Sequence, residues 1–234
     1  MLAWSIYASI KKRKDLADIA WGLGFVLIAW TSFILSPFSI KALVVNLLVT
    51  LWGGRLSLHI YLRNKGKKED PRYKDLGSFT KIFAVQGALL YVIALPIIWI
   101  NMHPYPLNFI ATGAFILLYA YGFSLEAISD AQLLSFKKNP KNKGKILKTG
   151  LWGYVRHPNY LGEICIWWAV WIMSIPLPFG IFLIMSPLTI TFCIIKISGI
   201  PPLEEKMKDH PDFKSYAKKV PCLFPSWPFK TSIH

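Results

Sequence analysis

The chain has 234 residues, 54% of them hydrophobic and 15% aromatic, with ten tryptophans and a mean hydropathy of +0.41. A soluble protein of this length would bury one or two cores and keep many more charges, so the composition excludes an ordinary soluble domain and points to the membrane. The net charge of +15 raises nucleic acid as a partner, but the placement of that charge gives it a different role.

The first segment, MLAWSIYASI, is apolar but ten residues long. As a helix it reaches about 15 Å, too short for a hydrocarbon core of about 30 Å. It lacks the basic start and cleavage site of a signal peptide. That leaves an interfacial helix or the remnant of a longer first span. Six apolar runs follow, over residues 19–35, 40–62, 82–100, 108–125, 160–175 and 179–197. Lipid offers the backbone no hydrogen-bond partner, so each run is predicted to be helical. Pro96 and Pro187 are expected to kink the third and the last. The predicted fold class is all-α, a polytopic transmembrane bundle of six full spans plus the short N-terminal segment. The whole of 1–234 then forms one integral-membrane domain.

Basic residues cluster between these runs in alternation. Residues 11–14, 63–81, 137–156 and 196 onward hold 25 of the 27 lysines and arginines; Lys41 and Arg55 are the other two. The connections SPFSIK, NMHPYP and SIPLPFG hold one lysine between them. This positive-inside pattern predicts that both flanks, the loops 63–81 and 137–156, and the tail 198–234 face the cytoplasm. The charge therefore sets topology and can attract anionic lipid or an anionic cofactor, and it does not call for nucleic acid. Of the three cysteines, Cys165 and Cys193 fall in spans and Cys222 in the tail. Neither they nor the five histidines have metal-ligand spacing.

Two cytoplasmic stretches gather polar groups. In SLEAISDAQLLSFKKNPKNKGKILKTG, Glu126, Asp130 and Lys137 share one helix face. They form either a site or an ordinary solvated helix end. In GLWGYVRHPNYLGE, Pro158 suits the first position of a helix, which places His157 at the cap. Asn159 and Glu163 then lie four apart on one face, with Arg156 at the mouth. Glu163 is one turn inside an apolar run, which is costly without a partner or a wet cavity. The structural reading is an Arg156–Glu163 pair; the functional reading is a ligand site. Arg55, His59 and Arg63 form a third stripe, and Gln86 and Lys196 lie at similar depth. Together these residues predict a cytoplasm-facing polar cavity beneath an apolar bundle, suited to a soluble anionic reagent and a lipophilic substrate.

At these residues the chain resembles the steroid 5-alpha-reductase-like bacterial membrane proteins, long known only as a domain of unknown function. The resemblance rests on LEAISDAQLLSFKKNPKNKGKILKTGLWGYVRHPNYLGEICIWW and SGIPPLEEKMKDHPDFKSYAKKVPCLFPSWP, with DIAWGLGF, WGGRLSLHIYLRNKGKKEDPRY and VQGALL upstream. It covers most of the chain from Asp18 and implies a seven-helix fold, with the N-terminal segment as a curtailed first span. In the eukaryotic 5-alpha-reductases the matching segments bind NADPH from the cytoplasmic side. Ser129, Asp130, Asn159 and Glu163 match that pattern. Glu126 stands where the family has asparagine, and Lys137 and Lys196 where it has arginine; lysine keeps the charge but loses the bidentate fork. The family's substrate-polarising glutamate–tyrosine pair has no counterpart. No glutamate precedes Glu69, and the tyrosine falls near Trp52, which donates one N–H and no proton.

The resemblance implies NADPH-dependent reduction of an activated C=C bond in a lipophilic, steroid- or isoprenoid-like substrate. Asp130, Asn159 and Glu163 would hydrogen-bond the cofactor, and Lys137, Arg156 and Lys196 would neutralise phosphates. His157 would cap the helix or meet a phosphate, and Tyr160 and Arg55 complete the expected set; no catalytic residue is assigned. RHPNY followed by Glu204 and Glu205 also resembles the isoprenylcysteine carboxyl methyltransferases, where such segments build an S-adenosylmethionine site. That methyltransferase is the alternative reading, and a non-enzymatic lipid-binding scaffold the third.

Overall fold

A computed structural model of the chain describes residues 1–69, 73, 77–104, 106 and 108–224. The remainder of the 63–81 loop and the tail from 225 lie outside the described residues, so the topology expected of those stretches is not addressed by it. Among the described residues all regular structure is helical. The order is α1 (Leu2–Lys11), α2 (Leu16–Ile34), α3 (Ile40–Asn64), α4 (Phe79–Met102), α5 (Phe109–Lys138) and α6 (Pro158–Ser174). A 3-10 turn at Gly180–Ile184, α7 (Met185–Phe192), a π-turn at Cys193–Ile197, α8 (Ile200–Met207) and α9 (Phe213–Lys219) follow.

Four single helices, α2 to α5, and the stretch Gly180–Met207 are long and apolar enough to cross a membrane. The chain is an integral membrane protein. The fifth expected run, 160–175, behaves differently: α6 has 17 residues, or about 26 Å at 1.5 Å per residue, short of a core of about 30 Å. By contrast α5 runs on from the apolar run to Lys138, so Glu126 and Asp130 belong to a continuous helix and are buried.

The prolines act in two ways. Pro96 lies inside α4 without ending it. Its missing N–H disturbs the preceding turn, and the Ile93 carbonyl there accepts from Ser186 Oγ at 2.6 Å. Pro187 falls in the first turn of α7, where proline is tolerated. The irregularities of that last run lie on either side of Pro187, in the 3-10 and π-turns.

The chain forms two compact units. The first comprises Met1–Phe115 and Val170–Thr189. In it α2 and α3 approach closely: a Cβ on Gly53 would lie 2.6 Å from the Gly22 carbonyl, and Ser57 Oγ donates to Ile19 O at 2.9 Å. A buried amide knot ties α2, α3 and α4 in apolar surroundings. Asn46 Nδ2 donates to Asn101 Oδ1 at 2.8 Å, and Asn101 Nδ2 donates to Ser32 Oγ at 2.7 Å and Ala29 O at 3.0 Å. At the other end Asp15, 1% exposed, pairs with Arg13 at 2.6 Å, and the Tyr73 hydroxyl donates to Asp18.

The second unit comprises Ile116–Ala169 and the chain from Ile190. Its central contact is between α5 and α6 at Gly122 and Gly162. A Cβ on either would lie within 2.7 Å of the other's carbonyl oxygen, so these positions are open only to residues without one. This close approach brings Glu126 and Asp130 of α5 alongside the first turns of α6.

Candidate functional site

Proline starts α6 as its sequence predicts. Pro158 is the first helical residue, and Leu161 N donates to His157 O at 3.1 Å, so His157 supplies the first acceptor of the helix. The segment just before the helix is held by the returning chain. Arg156 N donates to Pro221 O at 2.9 Å and His157 N to Cys222 O at 3.2 Å.

The side chains of Arg156 and His157 converge on one carboxylate oxygen. Arg156 Nε donates to Glu204 Oε1 at 2.9 Å, and His157 Nε2 lies 3.0 Å from the same atom. Arg156 Nη1 donates to Ala217 O at 3.1 Å and Val220 O at 2.7 Å. Arg156 thus takes Glu204 as a carboxylate partner. His157 is 2% exposed. Burial pushes its pKa below the ordinary 6.5, against the opposing pull of Glu204. Tyr160, one position into the next turn, stacks on the imidazole with ring centres 5.8 Å apart.

A second chain of bonds fixes this corner to α5. The Tyr216 hydroxyl donates to Trp152 O at 2.6 Å, and Trp152 Nε1 donates to Ser129 O at 3.0 Å. Burial raises the Tyr216 phenol to about 12, so it remains a donor throughout the working pH range. The loop after α5 is tied down by Lys148 to Asp212 at 2.9 Å and by His210 Nε2 donating to Gly144 O at 2.7 Å. The lysine holds the Asp212 carboxyl below its usual range.

Next to the Arg156–His157–Glu204 group along the chain, Asn159 Nδ2 donates to Asp130 Oδ1 at 3.4 Å. The other amide atom, Asn159 Oδ1, is buried without a hydrogen-bond partner among the described residues. Such an acceptor is costly unless something donates to it. Glu163 is half-buried one turn further along α6. Lys137 and Lys196 are exposed, on the last turn of α5 and in the π-turn. Arg55 is half-buried on α3 and belongs to the first unit. A cavity of about 470 Å³, lined by residues including Gln132, Ser135, Phe136 and Leu147, opens beside the C-terminal part of α5.

Sequence reasoning missed the part played by Glu204, which entered only through its likeness to the methyltransferase glutamate pair. It also missed Trp152, Tyr216 and Cys222. Their signal is tertiary: they come from separate segments of the second unit. The ligand atoms of His157, Glu204 and Cys222 lie within 4.8 Å of one another, a spacing compatible with a metal ion. Yet Arg156 Nε already sits 2.9 Å from the shared Glu204 oxygen and supplies the positive charge a cation would bring.

Fold and site together define an all-helical integral membrane protein with a buried polar cluster at the entrance of α6. The chain belongs to the DUF1295 family, described as a protein of unknown function, which matches residues 3–220. It is similar to the Delta(14)-sterol reductase LBR of Gallus gallus, at 31% identity over 87 residues covering 32% of this chain and 14% of the relative. It is similar to the Delta(14)-sterol reductase of Neurospora crassa, at 30% identity over 104 residues covering 38% and 20%. A third relative is the probable O-methyltransferase ustE of Ustilaginoidea virens, at 44% identity over 52 residues covering 22% and 18%. The matched stretches span a fifth or less of these relatives' lengths.

Proposed function

We propose that the protein is a membrane-embedded reductase of an activated C=C bond in a lipophilic, sterol- or isoprenoid-like substrate, with NADPH as reductant. The observation that carries this reading is Asn159: one amide atom is bonded to Asp130 and the other is a buried acceptor without a partner among the described residues. The residues fit the cofactor at this point, because a nicotinamide carboxamide offers the N–H that Asn159 Oδ1 lacks. When bound, NADPH supplies a hydride to the β-carbon of an enone-type substrate.

The chain's own residues bind and orient. Asp130 holds the Asn159 amide in one orientation. Glu163, on the same face of α6, adds a charged acceptor. Lys137, Lys196 and Arg156 would supply positive charge for the phosphates. His157 and Tyr160 form a packed wall at the helix entrance, and Gly122 against Gly162 holds α5 and α6 in close contact. Names of relatives support the reaction class, since two are Delta(14)-sterol reductases. In this reading the basic loops and the tail face the cytoplasm, α6 completes a sixth span, and the whole chain works as one domain.

The second reading is an S-adenosylmethionine-dependent methyltransferase. It is favoured by the convergence of Arg156 and His157 on Glu204 and by the ustE relative. Titration of detergent-purified protein with NADPH and with S-adenosylmethionine separates the two. Saturable binding of NADPH alone supports the reductase; binding of S-adenosylmethionine alone selects the methyltransferase. Binding of neither would favour a lipid-binding scaffold.

A further inference from the structure

At the end of the first unit where α2 stops and α3 begins, Lys41 is buried, 5% exposed. Its ammonium donates to His103 O at 3.3 Å. No carboxylate pairs with it among the described residues. An ammonium carries three donors, and a buried charge without a counter-charge is strongly disfavoured. The sequence supplies no counter-charge nearby: residues 19–68 contain no aspartate or glutamate, and neither do the connections 103–108 and 175–179.

A cavity of about 240 Å³ lies against this lysine. Lys41 and Asn108 provide its polar lining; Ala111, Met173 and Leu177 provide apolar wall. The 30-residue helix α5 begins at the cavity, with Asn108 Oδ1 accepting from Ala111 N at 3.0 Å. The N-terminus of a helix adds partial positive charge. The space is smaller than the roughly 300–1,000 Å³ of pockets that take drug-sized ligands, and so suits one headgroup fragment.

We infer that this cavity binds the phosphate headgroup of an anionic membrane lipid. Lys41 supplies the counter-charge, and Asn108 with the start of α5 supplies polar and dipolar contacts. The apolar wall faces the glycerol and the start of an acyl chain, which a free phosphate ion would leave unused. Lys41 is the second residue of a membrane helix, the depth at which headgroups lie. The site is at the end of the first unit away from the basic residues Arg55 and Arg63 on α3. It does not depend on the reductase reading.

The test uses the full-length chain, delipidated in detergent, with binding followed by native mass spectrometry. The probes are dioleoylphosphatidylglycerol, dioleoylphosphatidylcholine and inorganic phosphate. The wild type is expected to retain phosphatidylglycerol over phosphatidylcholine. Lys41→Met should weaken phosphatidylglycerol binding about tenfold or more, the range of a charge-assisted bond, and Lys41→Arg should preserve it. Lys41→Met removes a buried charge and is expected to fold. If it does not, Ala111→Leu narrows the cavity with the lysine in place and must also lose the lipid. Equal phosphatidylglycerol binding by wild type, Lys41→Met and Ala111→Leu overturns the proposal. Retention of inorganic phosphate without the lipid overturns it too, in favour of a soluble anion.

Discussion

Arg156 and Glu204 are 48 residues apart in sequence and 2.9 Å apart in the fold. Arg156 is 12% exposed and Glu204 26%, so the pair is largely shielded from water. Removing one member of a buried pair strands the other charge, at a typical cost of about 3–5 kcal/mol. With Glu204 partly solvated, Glu204→Gln should cost about 3 kcal/mol, and also loosen His157 and the returning chain at residues 220–222. A thermal melt in detergent checks this; a melting temperature equal to wild type would show that the cluster does not hold the corner together.

The Gly122–Gly162 contact makes a sharper steric prediction. Gly162→Ala places a methyl 2.5 Å from the Gly122 carbonyl, with the Glu126 backbone N at 2.7 Å. Backbone cannot swing aside as a long side chain can, so α5 and α6 must part. Overpacking of this kind costs about 1–3 kcal/mol. Gly113→Ala, whose added Cβ meets nothing within 4 Å, is the control expected to melt like wild type.

His157 gives the protein an acid-sensitive component. Its pKa is depressed in the fold, chiefly by burial, from an ordinary 6.5. Above 6.5 the ring is neutral folded or unfolded, and its full contribution to stability is present. As pH falls below 6.5 the unfolded chain takes up a proton that the folded chain resists, so stability is lost down through the folded pKa. The melting temperature should drop as pH falls below about 6.5, and His157→Gln should flatten that slope. A variant with the same slope as wild type would assign the acid sensitivity to other groups.

Much of the fold is legible because lipid restricts the backbone to helix. The run 40–62 became Ile40–Asn64 and the run 82–100 became Phe79–Met102. Pro158 announced the start of α6, and the ten-residue N-terminal segment is a helix from Leu2 to Lys11. The last run was less readable. Hydropathy registers greasiness, not hydrogen-bond pattern, and so cannot see the 3-10 and π-turns around α7. Hydropathy also ended the fourth run at 125, whereas α5 continues because its polar face there is buried against α6. Local spacing placed Asp130 on one face with Glu126 and Lys137, and Asn159 on one face with Glu163, but the meeting of Asp130 with Asn159, 29 residues apart, could not be read from it. Nor could Glu204 as the partner of Arg156, because α8 reaches the entrance of α6 only through tertiary packing.

The central claim is that the entrance of α6 holds a nicotinamide cofactor. Its most direct test is the NADPH affinity of Asn159→Leu and Glu163→Gln beside the wild type, with a melt of each sample. Asn159→Leu removes the buried acceptor and should weaken binding about tenfold, for a contribution of about 1–1.5 kcal/mol. Glu163→Gln removes a charged acceptor worth about 1.5–3 kcal/mol and should weaken it roughly 10- to 150-fold. The melt shows whether each variant is folded, so that a loss of affinity is read only on folded protein. NADPH affinity unchanged in both folded variants would contradict the account.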